Sequence, residues 1–349
     1  MLQSIDPFST LQQGCKEIAI LCLLLANTAS IFWGDALHSF KAVHTCGPAD
    51  EQENSSATLV CLLSIRCSLF TQCLRMPSPW TSRLSVAEVS TFRWSFEQDV
   101  LRYRSHGYEA MGIWRLKLAD YGEAKGADFL EEHGMRVSSL HWAGGFTGHD
   151  GRTFREAMHD GLDAIELASS LRANSLVILA GSRSGHTRNH AKRLLTGALK
   201  ELAEAASAVG VQLAVEPMHI GCAQDFTFLT SIPDTLDVIA KIGQPNLGIV
   251  FDSYHLGQDE NVIDWLPSIV PLIRLVQLGD ARCAPLGEQN RCMLGEGFLP
   301  LSSIVQVIES YEYDGFYEVE LVGEDMENYD YDRLLADSRK KLVELSTYS

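Results

Sequence analysis

The sequence contains no run of lysine or arginine, no paired Cys-x-x-Cys spacing and no apolar stretch of membrane-spanning length. The first absence, with a formal net charge of −17, argues against binding nucleic acid through its phosphates, which requires a positive face. The second excludes the common zinc-finger frameworks. Six of the nine cysteines (Cys15, Cys22, Cys46, Cys61, Cys67 and Cys73) lie in the first 75 residues, and only Cys222, Cys283 and Cys292 follow. The later part therefore reads as a cytoplasmic protein of a reducing compartment, without a disulfide framework. The longest apolar run, Ile18 to Trp33, falls short of the roughly 20 residues of a membrane span.

What is present divides the chain in two. Residues 1–75 carry that apolar run with Lys16 as the one base before it. They fit an overlong start with translation beginning at Met76, a signal or membrane anchor, or an additional segment. Residues 76–349 form one domain. The chain is 46% hydrophobic and 21% charged, the composition of a soluble globular protein.

From about Leu84 short β-rich runs alternate with amphipathic helices. The expected strands are 84–90, 110–114, 137–144, 175–181, 212–218, 247–255, 273–280 and 316–322. Helices are expected at 154–173 and 191–209. In the second, Leu194, Leu195, Leu199, Leu202 and Ala206 recur at the three- and four-residue spacing of one buried face. Gly107, Gly134, Gly210 and Gly243 each precede a strand, as helix C-terminal caps do. Eight such units in a chain of this size predict a (β/α)8 TIM barrel, whose parallel strands read as nearly unbroken apolar runs. A doubly wound open sheet would carry a glycine-rich turn after its first strand, where this chain has TFRWSF instead.

Barrel active sites form at the C-terminal ends of strands. Strand three ends in His141, strand five in Glu216 followed by His219, and strand six in Asp252 followed by His255. Strand seven carries Gln277 and Asp280, and strand eight carries Glu318 and Glu320. A single acid at a strand end is usually a cap or a salt-bridge partner. Carboxylates on strands five, six and eight would instead converge at the mouth and repel one another, a penalty that a shared divalent cation removes. Glu318 and Glu320 face the same side, so Glu320 is expected nearer the mouth and Glu318 deeper, as a supporting polar group.

The segments EPMH (216–219), FDSYH (251–255), VQLGD (276–280), LGEGFLPL (294–301) and YDGFYEVEL (313–321) resemble the xylose isomerase-like TIM-barrel sugar phosphate isomerase/epimerase superfamily, from about residue 83 to 345. The resemblance implies one divalent metal held by Glu, Asp, His and Glu. Glu216, Asp252 and Glu320 match three of these, whereas Gln277 stands where the family carries histidine. Such an all-oxygen site favours Mn2+ or Mg2+ over Zn2+, unless the metal site is loosened or lost, and His219 or His255 could compensate.

By the same resemblance Glu216 and Glu320 serve as base and acid in carbohydrate metabolism, abstracting a proton beside a carbonyl through a metal-stabilised enediolate. His255 then contacts a substrate oxygen or assists proton transfer. His219, Arg282 and His141 are expected at substrate hydroxyls or a phosphate, with a hydrogen-bonded loop histidine the alternative for His141 and for His186. The second glutamate that ketose 3-epimerases carry soon after the strand-five Glu is absent from the run ending at Cys222. An inosose-type dehydratase on the same site and a non-enzymatic sugar-binding barrel are the alternatives. The expected partners are a small carbohydrate and, for the assembly, further copies of the chain, with neither nucleic acid nor a membrane for the barrel.

Overall fold

The computed structural model describes residues 80–287 and 289–346, so the expectation for residues 1–75 lies outside the described residues. Eight parallel strands close into a barrel: β1 (Leu84–Ala87), β2 (Ala110–Trp114), β3 (Arg136–Gly144), β4 (Ser175–Leu179), β5 (Gln212–Val215), β6 (Leu247–Asp252), β7 (Ile273–Leu278) and β10 (Tyr317–Val319). Each pairs with its neighbour, and β10 closes the ring on β1 with Leu84 opposite Tyr317. Between β7 and β10 the chain leaves the barrel as an antiparallel hairpin, β8 (Asp280–Leu286) and β9 (Gln289–Cys292). Among the described residues no helix is long and apolar enough to cross a membrane.

The helices form for local reasons. The helix Phe154–Ser170 begins with a capping box, Thr153 Oγ1 accepting from Glu156 N while the Glu156 side chain accepts from Thr153 N. The helix Arg188–Ala208 buries Leu195, Leu199, Leu202 and Ala206, with Leu194 at the edge of that face. The four glycines expected as caps, Gly107, Gly134, Gly210 and Gly243, all have positive φ.

Strand periodicity places the site. One large apolar cluster packs the outer faces of the strands against the helices. A second, separate cluster of Ala110, Val177, Ala214, Val250, Leu275 and Phe316 fills the barrel interior. Side chains two apart on a strand share a face. Stepping two residues on from Ala214, Val250, Leu275 and Phe316 therefore reaches Glu216, Asp252, Gln277 and Glu318. Two further along the last strand is Glu320. A polar layer sits directly above an apolar plug, at the C-terminal mouth.

Several strands end sooner than the apolar runs suggest. β1 stops at Ala87, where Glu88–Thr91 turn into a 3-10 helix. There the buried Glu88 carboxylate accepts from Trp114 N at 2.7 Å through Oε2, a bond to the neighbouring strand's end. The floor is closed differently. Trp80 packs on Tyr317 with ring centroids 4.4 Å apart, and the Arg83 guanidinium lies over both rings while pairing with Glu309 at 2.6 Å.

Candidate active site

The mouth holds a cavity of about 300 Å3 lined by Glu216, Glu320, His141, His255, Arg291 and Cys222, with apolar walls that include Trp142, Met218, Phe226 and Tyr254. Asp252 and Gln277, next to the lining residues His255 and Glu320, are fully buried. Glu216 Oε1, Asp252 Oδ2 and Gln277 Oε1 are buried oxygens without a hydrogen-bond partner. Unsatisfied buried oxygens normally cost a protein stability, so three in one pocket call for a ligand.

Electrostatics point the same way. Burial, reinforced by repulsion from Glu320 and Asp252, pushes the Glu216 carboxyl well above the ordinary carboxylate range. Burial likewise raises Asp252 to about 7, although the Arg291 guanidinium pulls it back. His255 sits far below a free imidazole, because burial and the nearby Arg291 charge both oppose its protonation. It is a neutral ring whose Nε2 lies 3.6 Å from Asp252 Oδ2 and 3.9 Å from Glu216 Oε1. Those separations are too long for hydrogen bonds. They suit donor atoms that each lie about 2 Å from one shared cation.

The ligand atoms of Glu216, Asp252 and His255 all fall within 4.8 Å of one another. The chemistry of this donor set therefore fits a divalent cation, and it includes one imidazole nitrogen in addition to the expected oxygens. The two ends of the Gln277 amide have different surroundings. Its Nε2 donates to Glu320 Oε2 at 2.5 Å, while its Oε1 remains without a partner.

Glu318 lies one layer below. Ser138 and Ser139 hydroxyls donate to its Oε2 at 2.5 and 2.7 Å, and His141 Nε2 meets its Oε1 at 2.9 Å. Burial alone would raise this carboxyl, but the His141 hydrogen bond and charge overrule it and hold it below the usual range. Burial alone would lower His141, and Glu318 raises it instead. The carboxylate and the imidazole thus favour each other's charged form. Gly112 makes room for the carboxylate, because a Cβ there would come within 2.5 Å of Glu318 Oε2.

Of the other expected residues, His219 is half-buried beside the cavity, with Nδ1 accepting from Gly221 N at 3.0 Å and its pKa lowered by burial. His186 faces the Thr147 carbonyl at 3.2 Å as a loop histidine. Arg282 is not brought into the cavity: its side chain is 60% exposed and lies 3.6 Å from Glu296. The cavity's guanidinium comes from Arg291 on β9, stacked 3.8 Å over the Tyr254 ring and donating to the Glu320 carbonyl at 2.8 Å. Arg291 was not anticipated because it sits on a hairpin rather than at the end of a barrel strand. Its position directly before the apolar pair Cys292 and Met293 was the available signal.

Asp280, at the end of the strand-seven motif, plays an architectural part. Its carboxylate accepts from the backbone N–H groups of Gly295, Gly297 and Leu299, and so shapes the Gly-Glu-Gly loop. A side chain at Gly297 would collide with Asp280 Oδ1.

Comparison with known proteins agrees with this architecture. The family profile of the xylose isomerase-like TIM barrel matches residues 100–344. Inosose isomerase of Bacillus velezensis is 22% identical over 238 residues, covering 65% of this chain and 83% of its own. D-psicose 3-epimerase of Enterocloster bolteae is 28% identical over 119 residues, 34% of this chain and 36% of its own. The crystal structure of the IolI protein with a bound zinc atom superposes with a TM-score of 0.68 at 19% identity, covering 76% of this chain and 99% of its own.

Proposed function

We propose, from the premise that the chain belongs to the xylose isomerase-like TIM-barrel family, that it is a metal-dependent sugar isomerase or epimerase. The observation that carries this reading is a pair of buried carboxylates, Glu216 and Glu320, facing one cavity of about 300 Å3 above a cradle of unsatisfied oxygens. The names of the relatives, an inosose isomerase and a D-psicose 3-epimerase, support the same chemistry.

Glu216, Asp252 and His255 would hold the cation, with Glu320 and the Gln277 carbonyl oxygen beside them. The mixed nitrogen and oxygen donors suit Mn2+ better than Mg2+. Bound there, the cation would supply Lewis-acid polarisation of a substrate carbonyl.

The chain's own groups do the rest. Glu320 takes the proton from the carbon beside the carbonyl, and Glu216, on the other wall of the cavity, is placed to return one. Gln277 orients Glu320 by donating to its Oε2. His141, fixed by Glu318, presents its edge to a substrate hydroxyl. Trp142, Met218 and Phe226 exclude water from the reacting carbon. Among the described residues lining the cavity, Arg291 is the one guanidinium, and it is already engaged by the Glu320 carbonyl and Tyr254. That favours an unphosphorylated sugar.

The test is solvent-deuterium exchange into a panel of ketoses and inososes with Mn2+ present. Exchange should appear in at least one sugar and fall by about 100-fold or more in Glu216→Gln and Glu320→Gln. Exchange accompanied by loss of water would assign the dehydratase chemistry instead. A folded protein that binds no divalent cation and exchanges no sugar would defeat the enzyme reading.

A further inference from the structure

The loop after β5 brings a cysteine against the second nitrogen of His255. Cys222 Sγ lies 3.3 Å from His255 Nδ1 and 3.4 Å from the His219 carbonyl oxygen. The opposite ring nitrogen, Nε2, faces Asp252 Oδ2 and Glu216 Oε1, two buried oxygens with no hydrogen-bond partner. A neutral imidazole has one N–H and one bare nitrogen, and the partner of the first decides the character of the second.

Two arrangements are open. If the thiol donated its hydrogen bond to Nδ1, Nε2 would carry the ring hydrogen. It would then donate to a carboxylate beside it, yet at 3.6 and 3.9 Å no such bond is made. If the thiol proton turns to the His219 carbonyl instead, a sulfur lone pair meets Nδ1–H. Nε2 is then bare, and its lone pair converges with those of Asp252 and Glu216 on one point.

We infer that Cys222 is a positioning residue: its sulfur accepts the Nδ1–H of His255 and fixes the tautomer whose bare Nε2 is turned to Glu216 and Asp252. Free histidine in water favours the opposite tautomer, so the protein has to impose this one. The use made of the bare nitrogen rests on the cation-binding reading above, but the tautomer itself does not. A thiol is also a soft, weak acceptor. It orients the ring without the negative charge that a carboxylate in its place would add to a site already holding three acids.

The experiment is long-range proton–nitrogen NMR correlation on the full chain with isotope-labelled histidine, with no cation added, and with His255 assigned through His255→Asn. The wild type should show the Nδ1–H pattern for His255. Cys222→Ala should shift it toward Nε2–H, and Cys222→Ser, which keeps an acceptor, should restore the original pattern in part. Mn2+ affinity measured by calorimetry should fall about 10-fold in Cys222→Ala, the usual effect of losing a group that orients a metal ligand. An Nε2–H pattern in the wild type would overturn the inference even if Cys222→Ala fails to fold. So would an unchanged Nδ1–H pattern in a folded Cys222→Ala. Neither readout uses a sugar, so failure of every sugar to exchange deuterium would defeat the functional reading and leave this one standing.

Discussion

Glu318 and Glu320 stand two residues apart on one strand and live in opposite surroundings. Glu318 is wrapped by two hydroxyls and an imidazole, while Glu320 meets Gln277 and the open cavity. Replacing Glu318 with glutamine removes the charge that favours the protonated His141 ring and breaks this buried contact. Such breaks cost about 3–5 kcal/mol, and the loss should be measurable by urea unfolding of Glu318→Gln at neutral pH. The strand-end acids were legible from sequence because a parallel barrel gives residues at the ends of apolar runs few places to go. The inward pointing of both Glu318 and Glu320 followed from a period of two. Cys222 and Arg291 were less legible, since nothing in a local pattern says that a loop thiol meets a histidine 33 positions away.

Among the elements, the β8–β9 hairpin is the one the sequence concealed. Its strands pair only at Asp280–Cys292, Ala281–Arg291 and Leu286–Gln289, with an irregularity between, so no alternation of apolar and polar residues marks it. β1 stops short of its run for a different reason, since there the buried Glu88 carboxylate accepts from Trp114 N. Immediately after the hairpin, the loop at 294–299 depends on Asp280 accepting three backbone N–H groups. Gly297→Ala would push a methyl into that carboxylate. It should lower stability by about 1–3 kcal/mol, seen as a reduced midpoint in thermal unfolding, with secondary structure by circular dichroism preserved.

At the scale of the whole molecule, the buried carboxyls couple stability to pH. Asp252 titrates near 7 in the folded chain, against about 4 when unfolded. As pH rises through that window the unfolded chain releases its proton first, so this group's contribution to stability falls between about pH 4 and 7. Glu216 acts in the same direction. A cation reverses the effect because it binds the deprotonated forms. The rise in thermal midpoint produced by saturating Mn2+ should therefore be larger at pH 8 than at pH 5.5, and Asp252→Asn should reduce the difference. Equal shifts at both pH values would contradict the assignment of Asp252 as a ligand.

The hairpin also bears on how such a barrel diversifies. It leaves the ring after β7, and the chain re-enters at β10, which pairs directly with β7. The hydrogen-bonded ring is thus complete without it. Yet the hairpin delivers the guanidinium that sets the charge beside Asp252. It behaves as an exchangeable cassette: recombination at its two ends could retune the site's preference for charged or neutral compounds while the barrel, and the acids it aligns, stay unaltered.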